Sequence, residues 1–92
     1  MPLKVEHPAR THFVKPDYPA SLREARLGGK AMVELVVNRE GLVSDIRLLN
    51  GADDDVVVSA FRAIAQWRYK PASSAGRPIK VYLTAIVEFT MR

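Results

Sequence analysis

The residue types that most often carry chemistry are few in this chain and poorly placed for it. Histidine occurs twice, at His7 and His12, with no carboxylate or cysteine at ligand spacing. Asp53, Asp54 and Asp55 are consecutive. A calcium loop needs spaced oxygen ligands and a distal bidentate acid, so this run reads as the start of a helix, where the dipole favours carboxylates. Ser21, Ser44, Ser59, Ser73 and Ser74 have neither a nucleophile elbow nor a histidine base in the folded segment. Gly28-Gly29 does not make a phosphate loop. The absence of cysteine excludes disulfides, thiol catalysis and thiolate metal sites. The sequence therefore points away from an enzyme and offers no catalytic residue, metal site or cofactor.

Trp67-Arg68-Tyr69-Lys70 mixes aromatic with basic residues, as nucleic-acid surfaces do. Core packing of Trp67 and capping of a helix end by Arg68 and Lys70 explain the four residues more simply. The chain carries 14 Lys+Arg against 10 Asp+Glu, formally +4, but no run of five like charges. That scatter describes a solvated surface rather than a nucleic-acid stripe.

The chemistry that stands out belongs to the main chain. Residues 81–87, Val-Tyr-Leu-Thr-Ala-Ile-Val, contain no charge, proline or glycine. An exposed strand edge of this kind is an aggregation hazard that proteins normally blunt. Left unblunted, it is covered by the domain's own chain, paired with a second copy, or kept open for a partner strand.

The remaining elements must present that strand. At 92 residues the chain makes one domain with one core. No stretch approaches the roughly 18 apolar residues of a membrane span. The N-terminus lacks the apolar centre of a signal peptide, so a domain working outside the cytoplasm is expected to be a piece of a longer protein. Four of six prolines fall in the first 19 residues. Residues 1–15 therefore read as an extended, weakly ordered linker, and 16–92 as the domain. Pro19 can open a short helix over 19–27, ended by Gly28-Gly29. Alternation predicts a strand over 30–38, a turn at Asn38-Arg39-Glu40-Gly41, and a returning strand over 42–49. Val43 is out of phase with Ile46 and Leu48, which predicts a bulge near Ser44-Asp45. After a break at Asn50-Gly51-Ala52, the stripe Val57, Ala60, Phe61, Ile64, Trp67 predicts a second helix ending before Pro71, with Arg68 and Lys70 in its last turn. Residues 71–78 read as a loop. Residues 79–91 read as a long strand, with Ile79, Val81, Leu83, Ala85, Val87, Phe89 and Met91 on one face. The fold class is α+β: a three-stranded antiparallel sheet, ordered second, first, last, with two helices packed on one face. The final strand is then an edge.

Taken in order, these motifs resemble the C-terminal domain family of TonB. Pro16-Asp17-Tyr18-Pro19-Ala20 is similar to the family's Tyr-Pro entry to its first helix. The hairpin from Gly29 to Val37, followed by Gly41-Leu42-Val43, resembles its Gly-x-Val pattern. Ala60 and Trp67-Arg68-Tyr69-x-Pro71 match its second helix and exit, and the long last strand falls where the family has it. The resemblance covers about residues 16–91.

The resemblance implies a periplasmic energy-transducer domain. In the family, the parent protein is tethered to the inner membrane and coupled through its N-terminal region to the ExbB–ExbD motor. The domain pairs by strand addition with the TonB box, an extended segment of outer-membrane receptors for siderophores, haem or cobalamin, so that proton-motive force drives their transport. The partner-binding residues implied here are Val81, Tyr82, Leu83, Thr84, Ala85, Ile86, Val87 and Glu88, with Lys15, Pro16 and Tyr18 beside them; Tyr18 reads equally well as core. Main-chain pairing tolerates variable partners, with alternate side chains supplying specificity. The alternative is a TonB-like adaptor or dimerisation module of another envelope protein, with a homodimer formed through the last strand.

Overall fold

The computed structural model describes residues 5–51 and 53–90. The first four residues of the expected linker, Ala52 of the expected break and Met91 of the final strand lie outside them. The alternating segment forms β3, Gly29–Val37, and its return β4, Val43–Gly51, after two short strands, β1 (Val5–Glu6) and β2 (Ala9–His12). The turn between β3 and β4 is held by the Asn38 side chain, whose Oδ1 accepts from the Glu40 and Leu42 amides at 2.9 and 3.0 Å. Pairing slips where Val36 meets Asp45 and Val37 meets Val43, which makes Ser44 the extra residue of a bulge, as the broken phase predicts.

The first helix, α1, spans Ala20–Ala25, with Pro19 at its N-cap. It stops earlier than the glycines predict. Arg26 adopts the left-handed conformation, φ 56°, and the amides of Arg26 and Leu27 donate back to the carbonyls of Arg23 and Leu22. That is a Schellman closure made without glycine. Gly28 serves close packing instead, because a Cβ there would lie 2.5 Å from the Phe89 carbonyl oxygen.

The second helix, α2, spans Asp54–Ile64, with the Asp53 side chain accepting from the Asp55 amide at 2.8 Å. Asp54 and Asp55 fill its first turn, where the dipole favours them. The expectation that this helix carries Arg68 and Lys70 in its last turn is corrected. The amides of Gln66 and Trp67 tighten onto Ala63 and Ile64, and Arg68–Lys70 forms strand β5, with the Tyr69 amide donating to the Gly41 carbonyl at 2.8 Å. Arg68 still reaches the helix end, its guanidinium donating to the C-cap carbonyl of Ala65 at 3.5 Å and to the Trp67 carbonyl at 3.0 Å.

Residues 71–78 are likewise not a plain loop: β6, Ala72–Ser74, pairs with β7, Arg77–Ile79, through a two-residue turn. The long final strand is divided at Lys80, and its main body is β8, Val81–Phe89. Residues 5–12 are extended, as their prolines suggest, but β1 pairs with β6 and β2 with β5. The N-terminal residues thus have partners that composition alone does not reveal.

The main sheet is antiparallel in the order β4-β3-β8. One face is covered by Leu22 of α1 and by Val56, Ala60 and Ile64 of α2, packed on Ala31, Val33, Leu35, Val37, Val87 and Phe89. Burying each of the Val, Leu, Ile and Phe side chains among them stabilises the fold by about 1.5–3 kcal/mol.

Candidate strand-edge binding site

Strand β8 pairs with β3 along its whole length, from Gly29 opposite Phe89 to Val37 opposite Val81. Among the described residues, no strand pairs with its other edge. In an antiparallel ladder alternate residues turn both N–H and C=O away from the neighbour, so β8 presents a row of main-chain donors and acceptors. Side chains follow the sequence alternation. Val81, Leu83 and Ala85 are half-buried and Val87 is buried, whereas Tyr82, Thr84, Ile86 and Glu88 are exposed on the opposite face. Tyr82 and Ile86 remain 63% and 57% exposed, high for large apolar groups.

The segment before α1 runs beside the C-terminal end of β8. Together they bound a groove of about 370 Å³ lined by Arg10, Phe13, Lys15, Pro16 and Trp67 on one side and Ile86 to Phe89 on the other. A second hollow of about 350 Å³ lies against Tyr18, Arg23 and Phe89, and Lys15 and Pro16 line both. Lys15 and Pro16 therefore stand between the two, next to the strand end.

Tyr18 joins two elements. Its ring packs on Phe89, centroids 5.0 Å apart, and its hydroxyl donates to the Leu27 carbonyl. This ties the entry of α1 to the end of β8. Ser59 adds a second tie by donating to the Asp17 carbonyl.

The structure brings Lys15, Pro16, Ile86, Val87 and Glu88 together around one groove. Val81 to Ala85 continue the same edge away from it. Four lining residues are not among the partner contacts expected from the sequence: Arg10, Phe13, Trp67 and Phe89. The Trp67 indole N–H donates to the Val14 carbonyl at 2.8 Å, its ring lies 5.4 Å from Phe13, and the Arg10 guanidinium sits over both rings. Arg10 and Phe13 fall in what composition reads as linker, and only the packing of the strap onto Trp67 reveals them. Burial pushes the Tyr69 phenol above its usual value, and the adjacent Arg10 guanidinium opposes that shift. His7 and His12 are exposed, His12 opposite Arg68 in the β2–β5 pair.

Residues 14–91 match the family described as Gram-negative bacterial TonB protein C-terminal. Among solved structures, the chain is similar to the solution NMR structure of the Pseudomonas aeruginosa TonB C-terminal domain. The TM-score is 0.81 at 20% identity, covering 95% of this chain and 89% of that one. Comparison with curated protein sequences returns no match.

Proposed function

From the premise that this chain belongs to the TonB C-terminal domain family, we propose that it binds the TonB box of outer-membrane receptors by strand addition to β8. The family is a transport-associated, non-enzymatic one found in the periplasm of Gram-negative bacteria. On this reading the box lies along Val81 to Glu88, with Lys15 and Pro16 flanking it and Tyr18 holding that flank in place. A parent protein tethered to the inner membrane and coupled to ExbB–ExbD would then pass proton-motive force to receptors for siderophores, haem or cobalamin. The observation that carries this reading is the outer edge of β8: no strand pairs with it among the described residues, and no charge interrupts it from Val81 to Val87. Several main-chain bonds formed along one strand must break together under a pull, which suits a domain that transmits force.

An amide NMR titration with a panel of TonB-box peptides tests the proposal. Shifts concentrated in 79–90 and around 15–19 are expected. A folded domain whose amides do not move would overturn strand addition and favour an adaptor with another partner. The same free edge also suits a second copy of the chain. Sedimentation across concentrations distinguishes the two, since a dimer that persists in excess peptide would assign the edge to self-association.

A further inference from the structure

A strand edge without charge, proline or glycine specifies register and direction weakly, because main-chain bonds form equally well after a two-residue slip. The edge of β8 has this character from Val81 to Val87. Something at its end must set the register of an added strand, and the groove supplies a candidate. Its lining holds two cations, Arg10 and Lys15, against one acid, Glu88. The two cations are held very differently. Lys15 is exposed, and no ring contact holds it among the described residues. The Arg10 guanidinium lies 4.3 Å from the Phe13 ring centroid and 4.7 Å from that of Trp67. Trp67 is itself 5% exposed and bonded to Val14, so the surface under the guanidinium is fixed.

Stacking uses the face of a guanidinium and leaves its N–H edge for acceptors in its own plane; the Tyr69 hydroxyl takes one of the Arg10 donors, and the rest of the five-donor fork remains for a ligand. A group immobilised before binding loses little entropy when a ligand arrives. Carboxylates match that edge with two parallel hydrogen bonds. Arg10 and Phe13 precede the stretch 14–91 that matches the family.

We infer that Arg10 is a partner-binding residue: stacked on Phe13 and Trp67, it anchors a carboxylate at the groove end of a strand added to β8 and so fixes that strand's register. The inference rests on the strand-addition reading. The partner is an extended peptide with an acidic residue flanking its pairing segment. Lys15 adds charge to the same groove without the planar fork.

The test uses three synthetic peptides with blocked termini and one shared pairing segment. One carries glutamate before the segment, one carries glutamate after it, and one carries glutamine at both places. Each is titrated against the unaltered protein and against Arg10→Gln, Arg10→Lys and Lys15→Gln, with the Trp67 indole signal reporting whether the strap stays docked. One glutamate peptide is expected to bind about five-fold tighter than the glutamine peptide at low salt. Arg10→Gln is expected to erase that preference. Arg10→Lys should keep a smaller part of it. A preference that survives Arg10→Gln, or one removed only by Lys15→Gln, overturns the inference. So does equal loss in Arg10→Gln and Arg10→Lys accompanied by a displaced indole signal, since the residue then only holds the strap. If no peptide moves the β8 amides, strand addition itself has failed and the anchor falls with it. Binding of all three peptides with equal affinity sinks the anchor alone.

Discussion

The indole nitrogen of Trp67 donates to the main-chain carbonyl of Val14 at 2.8 Å, joining residues 53 positions apart in the chain. This bond makes the segment before α1 part of the groove wall. Replacing Trp67 with phenylalanine keeps an aromatic ring but removes the donor and part of the buried volume. A cost of about 1–3 kcal/mol is expected, from the lost bond and the small cavity together. Hydrogen exchange provides the specific check. Amides of residues 9–14 should accelerate far more than those of β3. A uniform acceleration across the chain would show that the bond does not hold the strap.

Proline scanning along β8 separates its two edges. Neighbouring residues turn their amides in opposite directions, one toward β3 and the next away from it. Of Leu83→Pro and Thr84→Pro, one should break the ladder to β3 and cost about 3 kcal/mol or more. The other should stay folded, because an edge position tolerates proline, yet lose peptide affinity through its missing outward donor. Urea denaturation identifies the folded variant. Unchanged peptide binding by that variant would contradict strand addition.

Most of the main sheet was legible because its signals are periodic. The parity of Ala31, Val33, Leu35 and Val37 matches the buried face, and the phase break at Val43 corresponds to the bulge at Ser44. The free edge of β8 followed from the strand order and from the uncharged run. What was not legible depends on tertiary partners. Arg68 and Lys70 read in sequence as the last turn of the helix, but the Tyr69 amide is taken by Gly41 on the β3–β4 turn, and a strand results. Arg10 and Phe13 have no periodicity, and only Trp67 gives them a place. Arg26 closes α1 in a left-handed conformation that sequence rules assign to the glycines after it.

The β6–β7 hairpin lacks the turn residues that would mark it in sequence. Ala75 and Gly76 both have positive φ, 51° and 80°, as a type I′ turn requires, but the usual asparagine or aspartate signal is absent. Ala75→Asn is therefore expected to stabilise the protein by about 0.5 kcal/mol. An unchanged or lowered thermal midpoint would refute the turn assignment.

Two glycines with nearly the same φ offer an internal comparison. A Cβ on Gly76 would meet nothing within 4 Å, whereas one on Gly41 would lie 1.9 Å from the Tyr69 carbonyl oxygen. Gly76→Ala should cost only the left-handed strain, about 1–2 kcal/mol. Gly41→Ala should cost about 3–4 kcal/mol, since β5 must also move away from the turn. Equal costs in urea denaturation would mean that β5 does not press on this turn.

Tyr69 gives the fold an alkaline limit whose sign is fixed. Burial raises its phenol above the usual value of 10.0, and Arg10 only partly opposes this. The folded state therefore holds the proton more tightly than the unfolded chain does. The resulting stability is fully present below about pH 10 and is lost as pH rises through the higher folded value. Tyr69→Phe removes the titration while keeping the ring. Between about pH 9 and 11 the unaltered protein should lose stability faster than Tyr69→Phe, with the two curves parallel below that window. Urea denaturation at steps of pH measures the difference, and its absence would mean that Tyr69 is as well solvated in the folded state as in the unfolded one.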